Sequence, residues 1–437
     1  MKIKLFLLGV CLLPAFMYAQ EVQPAAGTQQ SETKLLVLSL EEAQQYAVQS
    51  NKSLQNASLD VQQAYAQRWQ TIAQMLPQVD GAVGHTNMCG YEIDFGGMSK
   101  AMVPYLNAGV TASVGINGQA VMGALLNNLA IEMQNITYAQ SESNLRANVM
   151  TGYLSVLVME DIQGLLDSSL VNVERLAEMT KQAVAVGTQE QTAADQILVR
   201  VNALKNNINS NKRNVELAYN SLRILLGVDA QTQIRLTQTL DELLSADAIV
   251  RLLGEEFNIN NNFNYQLLQK NAELAKKNVT MAGLAYTPTL SAYYQYSYRK
   301  DFEEGGFSMS PPNTVGISLS VPIWSSGKRA AGVTEKKLAY KAAQNTLEET
   351  TDQLGIQYQQ LRFNLSNAFE TYTNERDNMN VTKRVFNNVT NKFQWGAASG
   401  LELTNASNDL ISAQSTYVQA VLTLVNAQVE LAKFLNN

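Results

Sequence analysis

Two stretches of the chain alternate strictly between apolar residues and small or polar ones. In residues 314–323 every second residue is apolar, and in residues 106–117 the same alternation begins at Leu106. A period of two predicts a β-strand whose two faces meet different surroundings. Helical periodicity follows each strand directly, so the sequence predicts a unit of strand and long helix that occurs twice.

Long proline-free helices follow both strands. Residues 118–227 contain no proline, and the first helical run reaches Gly187, a length of roughly 100 Å at 1.5 Å rise per residue. A turn at residues 186–189 leads to a returning helix with heptad spacing that stops at Gly227. Residues 324–396 repeat the long run, and a second heptad helix closes the chain. The heptad residues are Ile197, Val201, Leu204, Ile208, Asn211, Val215, Ala218, Leu222 and Leu225 in the first returning helix, and Leu410, Ala413, Tyr417, Ala420, Leu424, Ala427, Leu431 and Phe434 in the second.

The same landmarks recur at a nearly constant separation. Pro77 and Pro288 each end a helix, and they are about 210 residues apart, as are the turn glycines Gly187 and Gly396. Weaker strand patterns follow the two prolines. The shared separation indicates a duplication of one unit, in the order helix, strand, loop, strand, long helix, turn, helix.

This pattern divides the chain into five segments. The N-terminal segment carries Lys2 and Lys4, an apolar middle and Ala19 before a plausible cleavage point, as expected of a secretory signal peptide. Ser39 is a good N-cap for the helix that opens the first repeat. The segments are the signal peptide (1–20), a flexible N-terminal segment (21–38), the first repeat (39–227), a connector (228–250) and the second repeat (251–437).

Composition excludes several classes of function. The formal net charge of −6 gives no electrostatic basis for nucleic-acid binding. His85 is the one histidine, which excludes a multi-histidine metal site, and Cys89 is the only cysteine outside the signal segment. We therefore expect no enzyme activity, no cofactor, no metal and no intrachain disulfide. No stretch after the signal approaches 18 uninterrupted apolar residues, so no transmembrane helix is predicted.

Each predicted strand is about ten residues long, which suffices to cross an outer membrane when tilted. Four strands cannot close a barrel, and an open sheet edge cannot lie in lipid, so several chains must share one barrel. Two chains would give eight strands and a lumen filled by side chains, whereas three give twelve strands around a water-filled pore. We therefore predict a mainly α-helical protomer and a homotrimer, in which a shared 12-stranded β-barrel continues into a tube of long helices on one side of the membrane.

A second function class is compatible with the same helices. Long heptad helices also build periplasmic coiled-coil structural or adhesive proteins, in which the strands would only hold the copies together. A fibre of this kind needs neither hairpin turns nor a duplicated pair of strands.

Several short motifs occur in a recognisable order. They are Asn51, the Leu76-Pro77-Gln78 corner, the Val321-Pro322-Ile323-Trp324 segment with Ser326-Gly327, and the turns at Gly187 and Gly396. In these the chain resembles the TolC-like outer membrane efflux protein family over essentially its whole mature length. The resemblance implies a trimeric 12-stranded β-barrel in the outer membrane, a long periplasmic α-helical barrel, and an equatorial region around residues 228–250. It implies a passive exit duct of a tripartite efflux or type I secretion system, with a periplasmic adaptor protein and an inner-membrane pump as partners.

The resemblance also implies roles for the ends of the helical hairpins, which in the family meet the adaptor. Here the two tips are Val186, Gly187 and Thr188 in the first hairpin, and Trp395, Gly396 and Ala397 in the second. In the alternative interpretation the two glycines only turn the chain.

Two further groups of residues are candidate functional positions. Glu402 and Asn405 stand where family members carry acidic residues around the tunnel mouth, and three copies of Glu402 would form a carboxylate ring. Asn405 departs from the acidic pattern, and Glu402 could instead serve only as a favourable charge at a helix N-terminus. The candidate membrane-interface aromatics are Tyr294, Tyr296, Tyr298 and Trp324.

Overall fold

A computed structural model describes residues 35–94, 96–97, 99–302 and 311–435 of the chain. The predicted signal peptide lies outside these residues. Short 3-10 turns occur at Ile259–Asn261 and Leu284–Tyr286. In chain order the elements are β1 (Leu35–Leu38), α1 (Leu40–Ser50), α2 (Lys52–Ala73), β2 (Gln78–Thr86), β3 (Glu92–Asp94), β4 (Ser99–Ala101), β5 (Tyr105–Ile116), α3 (Gly118–Ala185), α4 (Gln191–Leu226), β6 (Gln233–Leu236), α5 (Leu240–Leu243), α6 (Ala246–Gly254), α7 (Phe263–Gly283), β7 (Thr289–Asp301), β8 (Asn313–Ser320), α8 (Lys328–Gln394) and α9 (Gly400–Leu435).

The predicted order of elements is present in both halves. The long helices α3 and α8 have 68 and 67 residues, and the returning helices α4 and α9 have 36 residues each. Asn51 separates α1 from α2, and the predicted N-cap Ser39 forms a capping box with Glu42 at the start of α1. The chain is therefore built from two copies of one helix and strand unit.

Strands β2, β5, β7 and β8 form one antiparallel sheet in that order. Because directly opposed residues of antiparallel strands point to the same side, the register assigns every side chain to a face. One face, here called the apolar face, collects the apolar residues of all four strands. It carries Val79, Gly81, Val83, His85, Leu106, Ala108, Val110, Ala112, Val114, Ile116, Leu290, Ala292, Tyr294, Tyr296, Tyr298, Val315, Ile317 and Leu319, with Lys300 and Asn313 at its ends.

The opposite face, here called the polar face, carries small and polar residues such as Thr111, Ser113, Gln295 and Ser318. This division confirms the prediction that each strand separates two different surroundings. The apolar face is not covered within the protomer: Ile317, for example, is 77% exposed. Within the described residues, β2 and β8 each pair with a neighbour on one side only.

The helices pack into two apolar cores. One core lies at mid-length and includes the fully buried Tyr153, Leu222 and Leu424. The second core lies towards the hairpin tips and joins α3, α4, α8 and α9 through residues such as Val173, Ile197, Phe386 and Leu403. Most predicted heptad residues of α4 and α9 are buried, and the partly buried ones are Val215, Ala218, Leu225, Ala413 and Phe434.

Two helices pass a test of length and hydropathy for a membrane span, namely Gly118–Ala185 and Gly400–Leu435. The most apolar 18-residue windows are 39% and 50% buried against other parts of the protomer. Because a packed core helix passes the same test, length and composition alone do not assign a membrane span to either helix.

The segment predicted to be flexible, residues 21–38, is ordered at its described end. Strand β1 pairs in parallel with β6 of the connector, and Leu38 is buried. The hydroxyl of Tyr153 on α3 donates to the Leu38 carbonyl oxygen at 3.2 Å and accepts from the Gln238 amide at 3.4 Å. Flexibility is therefore wrong for residues 35–38, which join the N-terminal part of the chain to the connector.

A buried asparagine holds two helix ends together. The Asn51 side chain caps α2 by accepting from the amides of Ser53 and Leu54, and its amide group donates to the Leu225 carbonyl oxygen near the end of α4 at 2.9 Å. Gly227 follows with φ of 68°, and a Cβ there would lie 2.7 Å from the Ser50 carbonyl oxygen. The end of α4 thus abuts the start of α2.

Strand and loop boundaries differ from the predictions in two places. Strand β8 ends at Ser320, so Val321, Pro322 and Ile323 belong to the connection to α8. In the first repeat, the predicted loop between the two strands contains the small hairpin of β3 and β4.

Candidate functional site

Both hairpin tips are built by the same helix-ending motif. At the first tip, the Gly187 amide donates to the Val184 carbonyl and the Thr188 amide donates to the Ala183 carbonyl. At the second, the Gly396 and Ala397 amides make the equivalent bonds, and the two glycines have φ of 77° and 70°. This Schellman geometry requires a left-handed residue, which explains glycine at both positions.

The residue before each tip glycine is a large exposed apolar side chain. Val186 is 74% exposed and Trp395 is 86% exposed, and each caps the C-terminus of its long helix. Turning the chain therefore accounts for the glycines but not for these neighbours, because an exposed valine or tryptophan adds nothing to a helix end. Exposed apolar groups of this kind suit contact with another protein.

The two tips lie side by side. A Cβ on Gly400 would lie 3.1 Å from the side-chain oxygen of Gln189, and the Gln394 amide group lies 3.8 Å from the Met179 sulfur. Grooves of about 410 and about 730 Å³ border the pair of tips. The larger groove is lined in part by Arg175, Met179, Val186, Phe393, Gly396 and Ala398.

Glu402 closes a capping box at the start of α9. Its carboxylate accepts from the Ser399 amide at 2.7 Å and from the Ser399 hydroxyl at 3.0 Å, while the Glu402 amide donates to the same hydroxyl at 3.2 Å. The amide bond, then the hydroxyl bond, lowers the pKa of this fully exposed carboxyl from its ordinary value. A structural reason for glutamate at position 402 therefore exists independently of any pore.

Glu402 also begins an exposed polar stripe along α9. Asn405 follows at the next turn of this stripe, and neither residue contacts the core. Spacings of three and four residues keep all members on one side of the helix, and none of them is a lysine or arginine. The stripe consists of Glu402, Asn405, Asp409, Ser412, Thr416, Gln419, Thr423, Asn426 and Glu430.

Asp409 is a candidate that the sequence interpretation missed. It stands seven residues after Glu402 on the same exposed side, so it supplies the second carboxylate that Asn405 lacks. The neighbouring Asn408 side chain accepts from Arg200 of α4, which links the two hairpins at this level. The heptad spacing of α9 contained the signal, since position 409 shares the heptad position of 402.

The structure brings three of the four candidate aromatics together. Tyr294, Tyr296 and Tyr298 lie on the apolar face of β7 and are exposed, and the Tyr294 hydroxyl donates to the Asn313 side chain at 2.8 Å. Trp324 is 85% exposed and lies apart from them, beyond the opposite end of the sheet in the connection from β8 to α8.

An arginine shapes that connection. The Arg329 guanidinium donates to the Pro322 carbonyl oxygen at 2.8 Å and to the Ser325 hydroxyl at 3.0 Å. It also lies over the Tyr286 ring, 5.0 Å from its centroid, which joins the start of α8 to the end of the α7 segment. The equivalent joint of the first repeat is shorter, because Asn117 directly caps α3.

Within the described residues, no three histidine, cysteine, aspartate or glutamate side chains are grouped as metal ligands would be. The described surfaces carry amides, hydroxyls, carboxylates, lysine and arginine side chains and exposed apolar groups.

Comparison with known proteins gives a consistent result. A family model described as outer membrane efflux protein matches residues 43–228 and 259–437. A probable outer membrane lipoprotein, SilC of Salmonella typhimurium, is 22% identical over 396 residues, which cover 85% of this chain and 79% of that protein.

Solved structures share the fold at low sequence identity. A membrane protein from Pseudomonas aeruginosa superposes with a TM-score of 0.74 and 17% identity, covering 91% of this chain and 92% of that one. The outer membrane protein VceC of Vibrio cholerae superposes with a TM-score of 0.71 and 14% identity, covering 91% and 96%.

Proposed function

The chain belongs to the outer membrane efflux protein family, and from that premise we propose that three copies form the exit duct of a tripartite efflux or type I secretion system. Members of this family are transport proteins of the outer membrane with a periplasmic extension. A purely periplasmic coiled-coil fibre does not fit that membership. The duct would supply a path and no energy.

The proposal of a trimer rests on the sheet. A four-stranded sheet with two unpaired edges is unstable in lipid, because no water is present to bond the free amides and carbonyls. Joining β8 of one protomer to β2 of the next removes every edge, and three copies give twelve strands with room for water. The apolar face then meets lipid, and the polar face lines the lumen.

The aromatic residues suit this orientation. Tyr298 lies near the end of β7 that is farther from the helices, whereas Trp324 lies beside the helical end. In the membrane, Tyr298 and Trp324 would lie at the two opposite surfaces. Tyrosine and tryptophan are favoured there because their rings are apolar and their polar atoms reach water.

The hairpin tips are the proposed docking site of the periplasmic adaptor. Val186-Gly187-Thr188 and Trp395-Gly396-Ala397 present exposed apolar side chains beside a groove of about 730 Å³. The adaptor would open the duct by separating the tips, and an inner-membrane pump would supply the substrate and the energy.

The α9 stripe is the proposed lining of the tunnel mouth. Three copies of Glu402, with Asn405 beside it and Asp409 one heptad deeper, would place two rings of carboxylates around the threefold axis. Rings of carboxylates concentrate cations and disfavour anions. Because Asn405 is uncharged, the two carboxylates of the stripe lie a full heptad apart along α9, and the proposed lining remains acidic.

The observation that carries the proposal is the continuous apolar face across all four strands. Single-channel recording in planar bilayers tests it, with expected insertion of the wild type and conduction with cation preference. Glu402→Ala is expected to lower the cation preference, whereas Glu42→Ala, which removes the same kind of capping box from α1, should leave it unchanged. Failure of the wild type to insert would refute the channel, and equal selectivity in the two variants would remove Glu402 from the pore.

A further inference from the structure

The two repeats differ sharply in charge at the end nearest the sheet. The first 14 residues of α8, positions 328–341, contain five basic residues and one acidic residue, although the whole chain is acidic. The corresponding stretch of α3, positions 118–131, contains no charged residue. Near the end of α7 stand Lys276 and Lys277, whose counterparts in α2 are Tyr65 and Ala66. The basic cluster is therefore a feature of the second repeat alone.

These basic residues lie at similar distances from the sheet. The contact between Arg329 and the Tyr286 ring places the start of α8 beside the end of the α7 segment. From there, at 1.5 Å per residue, Lys336 and Lys337 lie roughly 10 to 12 Å along α8, and Lys276 and Lys277 roughly 14 to 15 Å along α7. Lys328 lies next to the joint itself. The lysines thus follow directly below the exposed apolar residues Ile323 and Trp324.

The local electrostatics disfavour positive charge at the position of the cluster. Lys328 and Arg329 occupy the first turn of α8, which contains no acidic residue, and the helix dipole disfavours cations there. Lys276, Lys328 and Lys337 are exposed and make no ion pair with any described residue. Two surface ion pairs offset part of the positive charge of the cluster, namely Lys277–Glu273 at 3.4 Å and Lys336–Glu335 at 2.8 Å. An unfavourable charge at a helix end indicates a function outside the protomer.

We propose that Lys276, Lys277, Lys328, Lys336 and Lys337, here called the basic collar, bind the phosphate groups of anionic phospholipids in the periplasmic leaflet of the outer membrane. The assignment rests on the proposed insertion of the sheet, which places the collar beneath the headgroups. The attraction of juxtamembrane lysines for anionic lipid decays over a Debye length of about 8 Å at physiological salt, and their long stems bring the ammonium groups closer to the headgroups than the helix positions alone. Lys341, roughly 20 Å along α8, lies beyond that range.

The collar gives the duct a fixed depth in the membrane. Trp324 favours the interface by its ring, and the lysines immediately below it favour anionic phosphate over water. Sliding of the barrel towards the outside would pull lysines into the headgroups and then towards hydrocarbon, whereas sliding inward would break their phosphate contacts. Both displacements are unfavourable, so the α-helical barrel is held at a constant height for its partners.

A matched pair of variants tests the proposal. The collar variant carries Lys276→Gln, Lys328→Gln, Lys336→Gln and Lys337→Gln. The control carries Lys→Gln changes at four positions remote from the sheet, so that the net charge changes equally. These control positions are Lys181, Lys212, Lys383 and Lys433.

Each protein is reconstituted in bilayers of equal parts phosphatidylglycerol and phosphatidylcholine, and the immobilised fraction of spin-labelled lipid of each type is measured. The wild type and the control should immobilise phosphatidylglycerol preferentially. In the collar variant, the ratio of immobilised phosphatidylglycerol to immobilised phosphatidylcholine should fall at least about threefold. The preference should also weaken as salt increases. An unchanged preference in the collar variant overturns the proposal, as does its absence in the wild type.

Two further arms separate the other outcomes. Loss of the preference when inorganic phosphate replaces chloride at constant ionic strength would identify a soluble phosphate site and overturn the lipid assignment. Conductance and trimer mobility are recorded for the same samples. A wild type that neither assembles nor conducts refutes the proposed function, whereas conducting collar-variant trimers with unchanged lipid preference refute the collar alone.

Discussion

The Asn51→Ala substitution tests how the start of α2 is joined to the end of α4. The wild-type side chain caps α2 and also bonds the Leu225 carbonyl, one of the last carbonyls of α4 and therefore without a partner inside that helix. Loss of the cap costs about 1 kcal/mol. Loss of the bond to Leu225 costs about 1 kcal/mol more, because Asn51 is 9% exposed and water replaces it poorly. The free energy of unfolding should fall by about 2 kcal/mol.

The duplication supplies the control. Asn262 is equally buried and caps α7 through the Tyr265 amide at 3.1 Å, and its side chain forms no described bond to α9. Asn262→Ala should therefore cost only the cap, about 1 kcal/mol. Asn51→Ser keeps the cap but cannot reach Leu225, so it should lie between Asn51→Ala and the wild type.

Thermal unfolding of the detergent-solubilised protein, followed by circular dichroism at one fixed scan rate, measures the difference. A loss of 1 kcal/mol lowers the midpoint by at most about 2 to 4 °C in a domain of 150–250 residues, and by less in a larger protein. Asn51→Ala should melt below Asn262→Ala by up to that amount. Equal midpoints would refute the bridge between the two helices, and a lower midpoint for Asn262→Ala would refute the comparison of the repeats.

Two other predictions follow from the same geometry. Gly227→Ala should destabilise the protein by at least about 1 kcal/mol more than Gly187→Ala in thermal unfolding, because both glycines have positive φ but only Gly227 has a backbone oxygen, that of Ser50, where the methyl group would lie. Ser399→Ala should remove one bond to the Glu402 carboxylate and raise its pKa towards the ordinary value of about 4.3. Since a lowered pKa keeps the carboxylate charged to lower pH, the cation preference, measured as reversal potential, should begin to fall at a higher pH in Ser399→Ala than in the wild type. Identical pH profiles would contradict a selective role for Glu402.

Local periodicity predicted the architecture well. The alternation at residues 106–117 and 314–323 identified β5 and β8 to within a few residues, and the register confirmed that their apolar sides form one face. The turn glycines and the heptads identified both hairpins, because helix ends and buried stripes are properties of neighbouring residues.

Non-local pairing could not be predicted from the sequence. Strand β1 is four residues long and forms only because β6, nearly 200 residues away along the chain, offers it an edge. The predicted end of β8 is too late because Val321 and Ile323 continue the apolar alternation, although Pro322 between them has no amide to donate to a ladder. The Arg329 contacts that shape this corner connect three segments and leave no periodic signal.

Chemistry was harder to predict than shape. Glu402 was recognised by its distance from Gly396, but its bond to Ser399 shows a capping role that sequence spacing alone left open. Asp409 lies farther from the tip glycine than Glu402 and Asn405, and it shares their exposed side of α9 through the heptad spacing.

The two unpaired edges of the sheet have a genetic consequence. In the proposed ring, every protomer forms a third of the wall and completes the hydrogen bonding of both neighbours, so a subunit with a defective β2 or β8 breaks the barrel it enters. In a cell that makes equal amounts of intact and defective chains, random mixing would leave about one in eight rings free of the defect. Such alleles should therefore be dominant, whereas alleles that prevent export of the chain should be recessive.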